Sequence, residues 1–396
     1  MSGADRWLLP DAVEEALPAR ARRLEALRRR LLDLYAGWGY ELVMPPLIEF
    51  LDSLLCGAGP DLSLQTFRLT DQLSGRPLGV RADLTPQVAR MDAHSLPDAG
   101  VRRLCYAGSV LHTRPAGLTA SRIPLQAGAE LFGHAGVEAD VEVISLMLET
   151  LAAVGRDDVH LDLGHVGIYR GLVADAALAE ADEAMLFDIL QRKAIPELDA
   201  FLAGRVADTA TRARLRALAE LYGDAQVLAR ARALLADAGT AVRSALETLA
   251  DIGARVQRRY PRVEVCYDLG ELRGYRYHTG CAFAAYVPGR SQDVARGGRY
   301  DEIGAVFGRA RPATGFSTDI KTLVDIARID VAPAVAGILA DAAAGDDEQG
   351  RARIAQLRAQ GERVLCALPG QALEPAAAGC DRRLVRRGNE WVIEPA

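Results

Sequence analysis

Between about residue 170 and residue 258 the chain becomes rich in Ala, Leu, Arg, Asp and Glu and poor in β-branched residues, while strand-like runs lie on both sides. That change of character constrains the fold more than any other feature. It predicts a helical insertion inside one sheet, because the flanking strand-rich segments share one composition. Before it, the stretch from about 63 to 135 reads as antiparallel strands: Gln65–Leu69, Pro77–Arg81, Leu104–Leu111 and Ala127–Gly133. One short helix is expected near Pro86–His94. After it, strands are expected at Val263–Asp268 and Cys281–Val287, then a glycine-rich turn at Gly297-Gly298 and a helix from about 318 to 328.

Pro18 suits the first turn of a helix whose Leu24, Leu27, Leu31, Leu34 and Tyr35 form one apolar stripe, with Gly37 and Gly39 as its stop. A strand, Tyr40–Met44, follows and runs into Pro45-Pro46, which cannot donate ladder hydrogen bonds and so suits an edge or an interface. A second amphipathic helix spans about 140–154, with Ile144, Met147, Leu148 and Leu151 on one face and Gly155 as its stop, followed by a strand at Val159–Leu163. The tail, about 333–396, reads as a small α/β unit: strand Ala336–Ala340, helix Gln349–Gln360, strand Val364–Leu368, and a strand pair around Arg383–Val385 and Glu390–Ile393. The expected organisation is α+β, with one domain over 1–330 and a second over 333–396.

The net charge of −6 over 396 residues gives no general basic field for nucleic acid. The basic residues are nearly all arginine, the lysines being Lys193 and Lys321. Such a chain should place arginine wherever a phosphate is to be held. Cys56, Cys105, Cys266, Cys281, Cys366 and Cys380 form no C-x-x-C pair, so reduced thiols are expected rather than disulfides or a metal site. No apolar h-region follows a basic start, and no run reaches the ~18 apolar residues of a membrane span, so a cytoplasmic protein is expected.

Four segments can carry chemistry. In Val80–Pro86, Asp83 and Thr85 would point the same way from an extended segment and could receive an ammonium, but Asp and Thr before a proline more commonly cap a helix. In Leu125–Glu130, Gln126, Gly128 and Glu130 alternate on one strand face, with Ala127, Ala129 and Leu131 on the other. That polar face suits a pocket floor in which glycine leaves space, or a solvated sheet face. Leu272–Gly280 suits a ligand-facing loop or an ordinary turn. Arg296–Asp301, followed by Ala313–Ser317, permits close backbone approach at its glycine pair.

In order and spacing this series resembles histidyl-tRNA synthetase, a class II aminoacyl-tRNA synthetase, over roughly residues 5–330. The helix and strand ending at Pro46 look like the first class II motif, which builds the dimer interface. Arg81-Ala-Asp83-Leu-Thr85 looks like the family's Arg-Pro-Glu-x-Thr loop. Tyr106-Ala-Gly through Glu130 looks like the second motif and the strand after it. Arg273-Gly-Tyr-Arg-Tyr277 looks like the histidine-specific segment, and Gly297–Asp301 with Gly315-Phe316 looks like the run into the third motif. The resemblance implies a synthetase-like antiparallel sheet flanked by helices. It also implies a histidine pocket of Asp83, Thr85, Gln126, Glu130, Arg273, Tyr277 and Tyr300, with His278 where the family has a second tyrosine.

The departures bear on function. His112 stands where the second motif's arginine grips the α-phosphate and the amino-acid carboxylate, and Thr322 where the third motif's arginine grips the γ-phosphate. Adenylate formation needs charged forks on the triphosphate, and losing one such donor costs roughly 10²–10³ in rate. Lys321 should not replace the fork, since on a helix it projects ~100° from position 322. Only 74 residues follow Thr322, which is short for the family's anticodon-binding domain. Together these features resemble the regulatory subunit of ATP phosphoribosyltransferase. That resemblance implies no chemistry in the chain, no cofactor and no metal. It implies as partners a short-form catalytic subunit and a second copy of the chain, with histidine as effector and no membrane or tRNA. An active histidyl-tRNA synthetase, or another paralogue that activates an amino acid, is the alternative; either would need ATP contacts.

Overall fold

The computed structural model describes residues 7–56, 60–97, 100–115, 117, 120–272, 274–275, 277–332 and 336–396. The chain divides into two compact units, one up to Val331 and one from Ala332 onward. The first unit holds β1 (Glu41–Leu42), β2 (Ile48–Phe50), β3 (Phe67–Thr70), β4 (Pro77–Val80), β5 (Arg102–Ser109), β6 (Leu125–Phe132), β7 (His160–His165), β8 (Tyr222–Gly223), β9 (Glu264–Asp268), β10 (Cys281–Tyr286), β11 (Ala295–Arg299) and β12 (Ala313–Asp319). Nine of them form one sheet in the order β1-β5-β6-β12-β11-β10-β7-β9-β8.

The expected single sheet is corrected in two ways. β2, β3 and β4 pair only with each other, as a separate three-stranded sheet in the order β2-β4-β3. Within the large sheet, β1 pairs parallel with β5 and β7 parallel with β9. Parallel neighbours need a long crossover. The helical insertion supplies it between β7 and β9, through helices Val166–Ala176, Glu180–Gln191, Ile195–Arg205, Thr209–Leu218, Gln226–Leu234 and Thr240–Arg259. The last of these buries Val242, Leu246, Leu249, Ile252 and Val256, a spacing that keeps one face inward.

The helix Pro18–Gly37 buries Leu24, Leu27, Leu31 and Tyr35 on the same core as the helix Val137–Ala152 and the strands beneath them. Its stripe was legible because the apolar residues recur every three or four positions. Gly297-Gly298 is a correction: the pair lies inside β11, bonded to β10 and to β12, and makes no turn. Both glycines answer to close neighbours. A β-carbon at Gly297 would stand 2.7 Å from the Phe283 ring, and one at Gly298 would stand 2.8 Å from His278. The helix expected near Pro86–His94 runs from Thr85 to Arg90 and continues as a π-helical turn, Met91–Ser95.

The second unit carries β13 (Gly337–Ala340), β14 (Arg363–Cys366), β15 (Cys380–Arg387) and β16 (Glu390–Pro395) in the order β14-β13-β15-β16. Ile338, Ala340, Ile354, Leu357, Val364, Leu384 and Trp391 make its core. Asp347 caps the helix Glu348–Ala359 and also accepts the Trp391 indole N–H at 2.7 Å, which fastens the helix to the sheet.

Candidate functional site

The polar face of β6 is built by register. Glu130 lies opposite Gly315 of β12, which lies opposite Gly298 of β11. Two glycines in one row leave a trough in which the Glu130 carboxylate lies, and a β-carbon at Gly315 would collide with it. Ala127, Ala129 and Leu131 point the other way, into the core. Gly128 departs from expectation. It opens no free space, because Tyr106 lies opposite it and the tyrosine hydroxyl would stand 2.5 Å from a β-carbon there.

Glu130 is fully buried. One carboxylate oxygen accepts hydrogen bonds from the Thr85 hydroxyl at 2.8 Å and the Tyr106 hydroxyl at 3.0 Å, and the other accepts from the Tyr300 hydroxyl. Burial pushes its carboxyl up to about 8; the three hydroxyls oppose that shift, and the nearby charge of Asp83 adds to it.

Asp83 and Thr85 do not share an extended segment. Thr85 is the first residue of its helix, and its backbone N–H donates to Asp83 at 3.1 Å. Gln126 donates to the same Asp83 oxygen at 2.8 Å and accepts the Leu84 N–H at 2.9 Å, so its amide braces the 83–85 loop. The Arg81 guanidinium donates to the Ser109 and Pro45 carbonyls at 2.8 and 2.7 Å, anchoring the start of that loop.

A cavity of about 470 Å³ lies over this trough and is lined by Asp83, Thr85, Glu130, Tyr277 and Tyr300. The Tyr277 ring lies 5.0 Å from that of Tyr300, tilted by 31°. Its hydroxyl is buried with no hydrogen-bond partner among the described residues. Arg273, the remaining expected contact, lies outside the described residues. Sequence reasoning missed Tyr106, whose role depends on a cross-strand register, and Phe187, which reaches the cavity from the insertion. The insertion also grips the loop that carries Tyr277. The Tyr275 hydroxyl bonds Glu183, its ring meets Tyr169 edge-on at 5.0 Å, and Arg170 lies 5.1 Å over it.

A second cavity of about 830 Å³ shares Asp83, Arg296 and Ser317 with the first. His112 and Thr322 line it, and each is engaged within the protein. His112 Nε2 lies 2.9 Å from the Ala82 carbonyl, and the Thr322 hydroxyl donates at 3.1 Å to Asp319, the cap of helix Ile320–Ile326. Lys321 lines the same cavity as Thr322. Its ammonium meets Glu14 at 3.2 Å and Ser121 at 3.3 Å. Glu14 belongs to an N-terminal strap whose Ala12 carbonyl accepts the Arg122 N–H at 2.9 Å. Among the described residues, no group of His, Cys, Asp or Glu could hold a metal ion, and no helix is long and apolar enough to cross a membrane.

Residues 12–323 match the histidyl-tRNA synthetase family model, and residues 335–394 match that of the ATP phosphoribosyltransferase subunit HisZ C-terminal domain. The ATP phosphoribosyltransferase regulatory subunit of Thioalkalivibrio sulfidiphilus is 59% identical over 394 residues, covering 99% of each chain. The chain belongs to the ATP phosphoribosyltransferase regulatory subunit family. The regulatory subunit of Azotobacter vinelandii is 55% identical, covering 100% of this chain and 99% of that one. Among solved structures, an ATP phosphoribosyltransferase regulatory subunit/histidyl-tRNA synthetase from Bacillus halodurans superposes with a TM-score of 0.80 at 26% identity, covering 94% of this chain and 95% of that one. The histidyl-tRNA synthetase of Nostoc sp. PCC 7120 gives 0.75 at 17% identity, covering 96% and 91%, a likeness of fold. The expected α+β synthetase-like fold and the non-catalytic, regulatory reading stand with that membership.

Proposed function

We propose that this chain docks on the short catalytic subunit of ATP phosphoribosyltransferase, at the first step of histidine biosynthesis, activates it, and carries the feedback signal of histidine in the 470 Å³ pocket. One observation supports the reading: Asp83, Thr85, Glu130, Tyr277 and Tyr300 line one pocket, while the side chains at 112 and 322 are hydrogen-bonded within the protein itself. In this reading Asp83 takes the α-ammonium, Glu130 with Tyr300 and Thr85 takes the imidazole, and Tyr277 lies along the ring. Gln126 braces the loop that carries Asp83. Arg273 is carried over from the family resemblance alone.

Histidine regulates by preferring one state of the complex, with a coupling of typically ~1–3 kcal/mol. The functional domains are 1–330, with the insertion at about 170–258, and 333–396. The self-dimer forms along the sheet edge at β1, where Leu42, Met44, Leu47 and Ile48 are exposed. The setting is cytoplasmic, without tRNA.

The test is co-purification with the catalytic subunit and a phosphoribosyl-transfer assay with and without histidine. Activation by this chain, and inhibition by histidine that Asp83→Ala or Glu130→Ala weakens, is the expected result. Unchanged histidine affinity in both variants would remove the pocket from the account. Histidine-dependent ATP–pyrophosphate exchange by the purified chain would favour the synthetase instead.

A further inference from the structure

A free amino acid presents two charges, and the acids described so far meet only one of them. Asp83 offers an anion to the ammonium; a desolvated carboxylate needs a cation of its own, best met by the two-pronged guanidinium of an arginine. Position 112 does not supply it, since His112 lies against a backbone carbonyl.

The ladder indicates where such a cation stands. On β11, Arg296 lies opposite Ser317 and Gly298 lies opposite Gly315. On the other side of β12, Ser317 lies opposite Gly128 and Gly315 opposite Glu130. Arg296 is therefore one step of two residues, ~6.8 Å, from the row that holds Glu130. The step runs toward Gln126, which binds Asp83. An amino acid with its side chain on Glu130 and its ammonium on Asp83 would turn its carboxylate to that row. Arg296 and Tyr300 both line the pocket, at the two ends of one alternating face with Gly298 between them.

Among the described residues, which do not include Arg273, the competing cations are placed elsewhere. Among the described residues Arg20, Arg290, Lys321 and Arg296 line the larger cavity, and of these only Arg296 also lines the smaller one. Lys321 and Arg20 meet Glu14 and Asp325. Arg296 has a long ion pair, 3.9 Å to Asp293, and its side chain is 67% exposed, a pairing weak enough to yield to a ligand.

We propose that Arg296 binds the ligand's α-carboxylate and thereby restricts the pocket to free α-amino acids over the corresponding amines and esters. The proposal rests on histidine binding in this pocket. Calorimetry on the full-length chain compares histidine, histidine methyl ester and histamine, the last two lacking the negative charge. The wild type should prefer histidine over both by about tenfold or more, as expected for a charged hydrogen-bonded pair. Arg296→Met should shrink that preference below about threefold by weakening histidine alone, on the same charged-pair scale. Histamine binding at wild-type strength shows that the variant's pocket is folded. A preference that survives in Arg296→Met overturns the assignment, and so does an equal loss of all three ligands. If the wild type binds no histidine, or Glu130→Ala binds it as well as the wild type does, the pocket reading falls and the assignment with it.

Discussion

Glu130 decides the chemistry of the pocket at the scale of a single residue, because its burial raises the carboxyl from the ordinary 4.5 to about 8. The sign of the consequence follows from proton counting. Between those two values the folded chain holds a proton that the unfolded chain has released, so protonation favours folding. This stabilisation is complete below about 4.5 and is lost as pH rises through about 8. Thermal melts across that range should therefore show Tm falling toward alkaline pH, and Glu130→Gln, which cannot titrate, should flatten the fall. An identical slope in the variant would assign the effect to another group. On the proposed reading the same proton should shape histidine binding. A free imidazole titrates near ~6.5. Between there and about 8 the empty pocket and the neutral ring together carry one proton, which the complex can share without exchange with solvent. Histidine affinity should be flat across that window and fall on both sides, by up to tenfold per pH unit, as expected for one proton released below or taken up above. Calorimetry in buffers of different ionisation enthalpy reads the proton count directly; net uptake or release near pH 7 would contradict the sharing.

At the scale of elements, the sequence was most readable where neighbours along the chain decide the structure. The helices Pro18–Gly37 and Val137–Ala152 were anticipated because their apolar stripes need no knowledge of what they pack against. The alternation of Gln126, Gly128 and Glu130 with Ala127, Ala129 and Leu131 was readable for the same reason. What depends on distant partners was not. Gly297-Gly298 looked like turn punctuation and lies in a strand interior, since the ring of Phe283 and the imidazole of His278 crowd it from elsewhere in the chain. The role of Tyr106 required the β5–β6 register, and the pairing of Lys321 with Glu14 required a strap 307 residues away in sequence. Gly315 shows how much one such position carries. It is paired with Glu130 on one side and Gly298 on the other, and a methyl group would meet the carboxylate. Gly315→Ala should displace Glu130 from its three hydroxyls, lower stability by about 1–3 kcal/mol, and abolish measurable histidine binding. Chemical denaturation and calorimetry would check both. A variant that binds histidine normally would mean the trough yields without cost and that its glycines do not shape the site.

At the scale of the whole molecule, a regulatory subunit without chemistry can act on its partner only through differential binding. If histidine is the effector, as proposed, it must favour one state of the assembly, and the free energy by which it does so has to appear at both ends of the linkage. One segment of the chain touches both the proposed site and the insertion. The loop carrying Tyr277 to the pocket is fastened at Tyr275 to Tyr169, Glu183 and Arg170 of the insertion, so occupancy of the pocket and the setting of those helices share one segment. The prediction is reciprocal. If histidine weakens the binding of a catalytic-subunit ligand by some factor, that ligand must weaken histidine binding by the same factor, within the range of about 5–150-fold expected for such couplings. Histidine affinity should therefore be measured on the assembled complex with and without the nucleotide substrate, and the nucleotide affinity with and without histidine. Tyr275→Ala should reduce the two factors together while leaving each ligand able to bind. Equal factors that vanish in parallel would locate the coupling in the fastening of this loop. Unequal factors would break the thermodynamic cycle and require a further state, and an undiminished coupling in Tyr275→Ala would move the route elsewhere in the assembly.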